Sequence, residues 1–245
     1  MNSKKDWFQN WFDSPYYHVL YKDRDEKEAE LFLGNLIRKL NLKKGSEVLD
    51  LACGKGRHSI FLEKLGFNVT GIDISELSID CAKKNESDSL SFFVHDMRKP
   101  FRVNFFDCVL NLFTSFAYFE NIKENQHVLQ HAKDNLKKNG VFILDFFNAS
   151  FVIEHICEDG SKIVDGVQFK IEKKVEAGFI QKKISFSDKE TDHSFFERVQ
   201  LISFKELKGL IEKTGLKVIH LWGDYELTEF NEKNSERLII AAVKE

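Results

Sequence analysis

The chain has 245 residues, 42% hydrophobic and 31% charged, with a formal net charge of −3. That length suits one large α/β domain and is short for two, and the interspersed charges give no general attraction to nucleic acid or an anionic membrane. Cys53, Cys81, Cys108 and Cys157 show no Cys-x-x-Cys pairing and no zinc-ligand spacing, so we expect reduced, mostly buried thiols in a cytoplasmic protein and no metal.

Residues 1–22 begin Met-Asn-Ser-Lys-Lys-Asp, without an apolar run of signal length, and no stretch of the chain is long and apolar enough to span a bilayer. The segment carries Trp7, Phe8, Trp11, Phe12, Tyr16, Tyr17 and Tyr21, too few residues for a core of their own. These aromatics must lie on something. Pro15 interrupts any helix, so a short amphipathic piece, a turn and a second piece over Tyr16–Tyr21 are expected. From Asp25, the spacing of Ala29, Phe32, Leu33, Leu36, Ile37 and Leu40 predicts a helix that packs on a sheet.

Val48 to Leu51 is an apolar run broken by Asp50; Gly54 and Gly56 follow, then a helical pattern through Ile60, Phe61, Leu62 and Leu65 that Gly66 ends. This is a strand, a glycine turn and a helix. Glycines here permit positive φ and a close approach of a ligand to the helix N-terminus. A dinucleotide site would carry a third glycine where Ser59 stands, and Asp50 would repel a pyrophosphate. A cationic head suits it better, such as the ammonium and sulfonium of S-adenosylmethionine. Asn68 to Ile72 reads as a second strand ending at Asp73, placed to accept both hydroxyl protons of a ribose.

Val48 to Gly56, with the word Asp-Leu-Ala-Cys-Gly, resembles the first motif of class I S-adenosylmethionine-dependent methyltransferases of the small-molecule type. Val69 to Ser75 resembles their second strand with its acidic end. The likeness is good over Gly45–Phe147, moderate from Ser203 and weakest over Asn148–Ile202. It implies an α/β fold with a doubly wound, seven-stranded, mostly parallel sheet, helices on both faces and an antiparallel last strand. It implies S-adenosylmethionine as cofactor, held by Asp50, Ala52, Cys53, Gly54, Gly56, Asp73 and Ile74. It also implies an N-terminal helical lid, with Tyr21 at the methionine end of the cofactor and Tyr16 and Tyr17 toward the acceptor. The alternative is that the aromatics merely cover an exposed edge of the core.

Farther on, Ser75 caps a helix carrying Leu77, Cys81 and Ala82, and Leu90 to Val94 forms a third strand ending in His95-Asp96-Met97-Arg98. The resemblance puts Asp96 and Met97 on the adenine; His95 and Arg98 read as solvated. Asp107 to Phe113 is a fourth strand whose following loop should face both ligands, which makes Asn111 and Leu112 cofactor candidates and Phe113, Phe116 and Tyr118 acceptor candidates. Asn111-Leu112-Phe113-Thr114 departs from the Asn/Asp-Pro-Pro-aromatic word of enzymes that methylate base amino groups, which counts against a flipped base. Asn125 to Lys138 is a helix closed by Gly140, and Val141 to Phe147 is a strand buried on both faces, with Asp145 inside it lacking an assigned partner.

Ile163 to Ile202 breaks the rhythm. Gln168–Val175, Phe179–Phe186 and Phe195–Leu201 predict an antiparallel β insert, with Ser187–Ser194 as a polar separator. The insert either roofs the acceptor pocket or supplies a homodimer surface. Ser203 and Glu206 form a capping box for a helix that Gly215 stops, and Lys217–Trp222 and Arg237–Val243 are the last strands.

The expectation is a single methyltransferase domain: an N-terminal segment to residue 43, a cofactor core over 44–147, the insert over 148–202 and the C-terminal elements over 203–245. It would move a methyl group to an O, N or C nucleophile of a small molecule, without nucleic acid or membrane as partner. No catalytic residue stands out; His18 or His155 could serve a hydroxyl acceptor as base. An RNA or protein acceptor and a non-catalytic cofactor-binding module are the alternatives, and Asp50 and Ser59 disfavour a nicotinamide oxidoreductase.

Overall fold

The computed structural model describes residues 7–22, 26–156 and 159–245; the readings made for residues 1–6, Asp25 and Cys157 lie outside them. Seven strands form the main sheet: β1 (Glu47–Leu51), β2 (Asn68–Asp73), β3 (Leu90–Val94), β4 (Phe106–Asn111), β5 (Leu136–Phe147), β10 (Leu216–Trp222) and β11 (Arg237–Lys244). Their order is β10-β11-β5-β4-β1-β2-β3, and β11 runs antiparallel to both its neighbours while the other pairs are parallel. This is the doubly wound arrangement expected. Strand order reverses between β1 and β4, which opens a crevice at their carboxyl ends.

Helices cover both faces, which is why the central strands are nearly continuous apolar runs. On one face, α3 (Glu26–Leu40), α4 (Arg57–Lys64) and α5 (Glu76–Ala82) bury Leu33, Leu36, Leu62 and Ile79. On the other, α6 (Ile122–Asn135) and α8 (Phe204–Lys213) bury Val128, Leu129, Leu207 and Ile211. The capping box at Ser203 is formed, with Glu206 Oε2 accepting from the Ser203 N–H at 3.0 Å. One helix differs from expectation at both ends, beginning at Ile122 rather than Asn125. Helix α6 ends at Asn135, not Lys138, and β5 begins at once through a bulge in which Asn139, at φ 63°, takes the left-handed turn. Gly140 is glycine for a different reason: a Cβ there would meet Lys137 O at 2.9 Å and Phe106 O at 3.1 Å.

The insert holds four strands, not three: β6 (Asp159–Val164), β7 (Val167–Glu176), β8 (Phe179–Asp188) and β9 (Thr191–Gln200), paired antiparallel in that order. The polar run Ser187–Ser194 is a hairpin, turning at Lys189 and Glu190, whose φ values of 47° and 64° match the twist of a primed turn. Phe169, Ile184, Phe186 and Phe195 share one apolar face, while Lys170, Glu172 and Lys183 pair on the solvent face. A short helix, α7 (Ala149–Glu154), joins the two sheets.

The N-terminal segment forms α1 (Trp7–Phe12) and α2 (Pro15–Leu20). Pro15 starts α2 rather than merely breaking a helix: it occupies the first helical position, where its missing N–H costs nothing, and Ser14 caps the helix by accepting from Tyr16 N. Among the described residues, no helix is long and apolar enough to cross a membrane.

Candidate functional site

The glycine turn connects β1 to α4. Ala52, Gly54 and Gly56 all have positive φ, at 59°, 57° and 82°, and the two glycines serve differently. A Cβ on Gly54 would meet nothing within 4 Å, so the space beside it is open to a ligand. A Cβ on Gly56 would meet the Phe92 ring at 2.5 Å. That ring is fully buried and cannot withdraw. Gly56→Ala should therefore lose about 2 kcal/mol or more of stability from overpacking and left-handed strain together, read as a lower midpoint in urea unfolding.

A cavity of about 420 Å³ lies over this turn, at the carboxyl ends of β1 to β4 and beneath α1 and α2, within the ~300–1,000 Å³ range of small-molecule sites. Three carboxylates reach it, each held differently. Asp50 is 1% exposed and accepts from the Ser59 hydroxyl at 2.7 Å, so the residue that replaces a third glycine serves the carboxylate. Burial pushes the Asp50 carboxyl up to about 7, against the pull of that hydrogen bond. Asp73 accepts from Gly54 N and Ser75 N, both at 2.8 Å, which ties the ends of β1 and β2 together. Burial raises its pKa too, with the two backbone donors opposing. Asp96 is the opposite case: burial would raise it, but Arg98, bound through Nε and Nη2 at 2.8–3.0 Å, holds it below the usual carboxylate range. Arg98 is thus no solvated loop residue. It also pairs with Glu124 at 2.7 Å and lies over the Phe119 ring.

The wall beyond β4 is set by a buried ion pair. Asp145, fully buried on β5, accepts from Arg237 at 2.6 and 2.9 Å, from Tyr225 at 3.2 Å and from Phe113 N at 2.8 Å. Arg237 also reaches Thr114 Oγ1 at 3.0 Å. Together they keep Phe113 and Thr114 at φ 53° and 62°, a strained loop held by surrounding bonds. The Phe113 ring stacks on His58 at 4.8 Å and sits 5.1 Å from Tyr225. Phe8, Phe12, Tyr17, His18 and Tyr21 of the N-terminal segment close the top.

Of the residues singled out from sequence, Tyr17, Tyr21, Asp50, Ala52, Cys53, Gly54, Asp73, Ile74, Asp96, Met97, Leu112, Phe113 and Tyr118 line the cavity. Four do not. Gly56 lies beneath the turn, donating to Cys53 O. Asn111 is fully buried behind the wall, where its amide donates to Ser115 O at 3.2 Å. Phe116 packs in the core edge-on to Phe146, and Tyr16 points away, donating to Asp188 at 2.7 Å. His155 bonds Phe151 O on α7, also outside the cavity. No described residue of the insert lines the cavity, because α1 and α2 lie between the two. Lys55, Arg57 and His58 line the cavity and were not singled out, although they stand within or directly after the glycine word.

A family model described as "Methyltransferase domain" matches residues 42–200. A provisionally named methyltransferase of Geobacillus sp. (strain WCH70) is 26% identical over 155 residues, which are 62% of this chain and 60% of that protein. The chain thus spans little more than half of that relative. The glycine/sarcosine N-methyltransferase of Aphanothece halophytica is 26% identical over 229 residues, covering 90% of this chain and 82% of its own. Among solved structures, an S-adenosylmethionine-dependent methyltransferase from Clostridium acetobutylicum superimposes with a TM-score of 0.79 at 20% identity, over 96% of this chain and 98% of that one. The model match together with that superposition places the chain in the methyltransferase domain family, with the fold of the S-adenosylmethionine-dependent methyltransferases.

Proposed function

We propose that this protein transfers a methyl group from S-adenosylmethionine to the amine nitrogen of a small molecule. The observation that carries the reading is the cavity itself, lined by buried Asp50 and by the half-buried Asp73 and Asp96, with open space at Gly54 and the aromatic residues Phe113 and Tyr118 in its wall. The similarity over 90% of the chain to a protein named for N-methylation supports the amine. Bound S-adenosylmethionine would supply a methyl group already activated by a sulfonium, so the chain's task is orientation and exclusion of water, which carry about 7–11 kcal/mol in well-aligned systems. Asp73 would accept the ribose hydroxyls, Asp50 would offset positive charge, and α1 and α2 would keep water out. A neutral amine needs no base. The incubation that tests this uses methyl-labelled S-adenosylmethionine with a panel of small amines, alcohols and RNA: label on an amine is expected, and label confined to hydroxyl or RNA acceptors overturns it.

The Asp50 carboxyl gives this reading a pH dependence. With its pKa near 7, it is increasingly neutral below that pH, and a cationic ligand favours the ionised form. Cofactor affinity should therefore fall as pH drops from 8 to 6, approaching about tenfold per unit once the carboxyl is mostly protonated, as read by titration calorimetry. In the ligand-free chain the sign reverses: a raised carboxyl pKa favours folding at low pH, and that contribution is lost as pH rises from 3.8 through about 7.

A further inference from the structure

The second sheet, β6 to β9, puts no residue into the cavity, yet the helices that close the cavity rest on it. Three of its carboxylates take donors from the N-terminal segment. Asp165 pairs with Lys22, Asp188 accepts from Tyr16 at 2.7 Å, and Glu197 Oε1 accepts from both the Trp11 indole at 2.8 Å and the Tyr21 hydroxyl at 2.6 Å. Lys182 stands 3.4 Å from the other Glu197 oxygen. These anchors are unequal. The Lys22 and Asp165 side chains are 43% and 55% exposed, where an ion pair contributes little. Glu197 and Lys182 are each 19% exposed, and charged acceptors bind more strongly there.

Glu197 is also the anchor that joins both helices. Trp11 belongs to α1, beside the cavity-lining Phe12, and its ring lies 4.6 Å from Phe195 of β9. Tyr21 closes α2 as its C-cap and itself lines the cavity. We infer that Glu197 is a positioning residue for methyl transfer, its carboxylate fixing Trp11 and Tyr21 so that α1 and α2 are set over the cavity. The inference rests on the reading of that cavity as the methyl-transfer site. It gives the second sheet a role the cavity lining does not show: the sheet shapes the site through the helices it holds.

The test measures S-adenosylmethionine binding to the full chain by calorimetry, with E197A, E197Q, Y21F and E197A/Y21F, and with E172A on the solvent face of the same sheet as control. Loss of a charged acceptor should weaken binding about tenfold or more in E197A. In E197Q the amide oxygen still accepts from the indole and phenol, so most of the affinity should return. Because Glu197 acts through Tyr21, the double variant should bind no worse than E197A, and E172A should stay within about twofold of the parent. Binding by E197A within about twofold of the parent, or a double-variant loss equal to the product of the two single losses, overturns the positioning role. A parent chain that fails to bind S-adenosylmethionine refutes the cavity reading instead. Should E197A not fold, E197Q and Y21F decide: parent-like affinity in E197Q with weakened binding in Y21F supports the inference, and binding by Y21F within about twofold of the parent overturns it.

Discussion

Asp145→Ala should lower the unfolding free energy by about 3–5 kcal/mol, because it strips the counter-charge from a guanidinium and leaves it unpaired. The Asp145 side chain is fully buried, and that of Arg237 is 20% exposed. Each is near the other by fold alone, since β5 and β11 pair antiparallel with Phe147 opposite Arg237. The loss should not stop at the ion pair: Phe113 N and Tyr225 Oη lose their acceptor, and the strained Phe113–Thr114 loop loses what holds it. Replacing both charges, Asp145→Leu with Arg237→Met, should cost less than Asp145→Ala alone, since no uncompensated charge remains. Urea unfolding of the two variants reads the difference directly. A loss below about 1 kcal/mol in Asp145→Ala would mean the network does not hold the wall of the cavity.

Asp73→Ala and Gly54→Val should each weaken S-adenosylmethionine binding by about tenfold or more, or about 1.4 kcal/mol. Asp73 is the joint between two strand ends, accepting from Gly54 N and Ser75 N. Its removal frees both amides and takes away the acceptor proposed for the ribose, and hydrogen bonds to charged groups contribute about 1.5–3 kcal/mol each. Gly54→Val acts by another route. The new side chain would enter the open space over the turn and strain a residue at φ 57°. Calorimetry on variants shown folded by circular dichroism separates affinity from stability. Unchanged affinity in both removes the site assignment.

The strand, glycine turn and helix at Glu47–Lys64 were legible because glycine identity reports backbone conformation directly, and the strands of the main sheet because burial on both faces writes continuous apolar runs. The rest depended on partners far apart in sequence. Asp145 carries no local sign of Arg237, 92 positions away, and Glu197 none of Trp11 and Tyr21. Phe116 and Phe113 look alike in sequence; one fills the core edge-on to Phe146 and the other stacks on His58 at the cavity. Ser187–Ser194 read as a separator because a sheet with one solvated face alternates polar residues into its strands. Gly140 read as a helix stop because a glycine required by close backbone approach and one required by positive φ are the same letter.

Carboxylates beside an open glycine turn should receive a cationic nucleoside and reject a diphosphate. Titrating the purified chain with S-adenosylmethionine and, separately, with reduced nicotinamide dinucleotide distinguishes the two ligands. Saturable binding of the first, lost in Asp73→Ala, with no binding of the second is the result expected. Uptake of the dinucleotide in place of S-adenosylmethionine would contradict it.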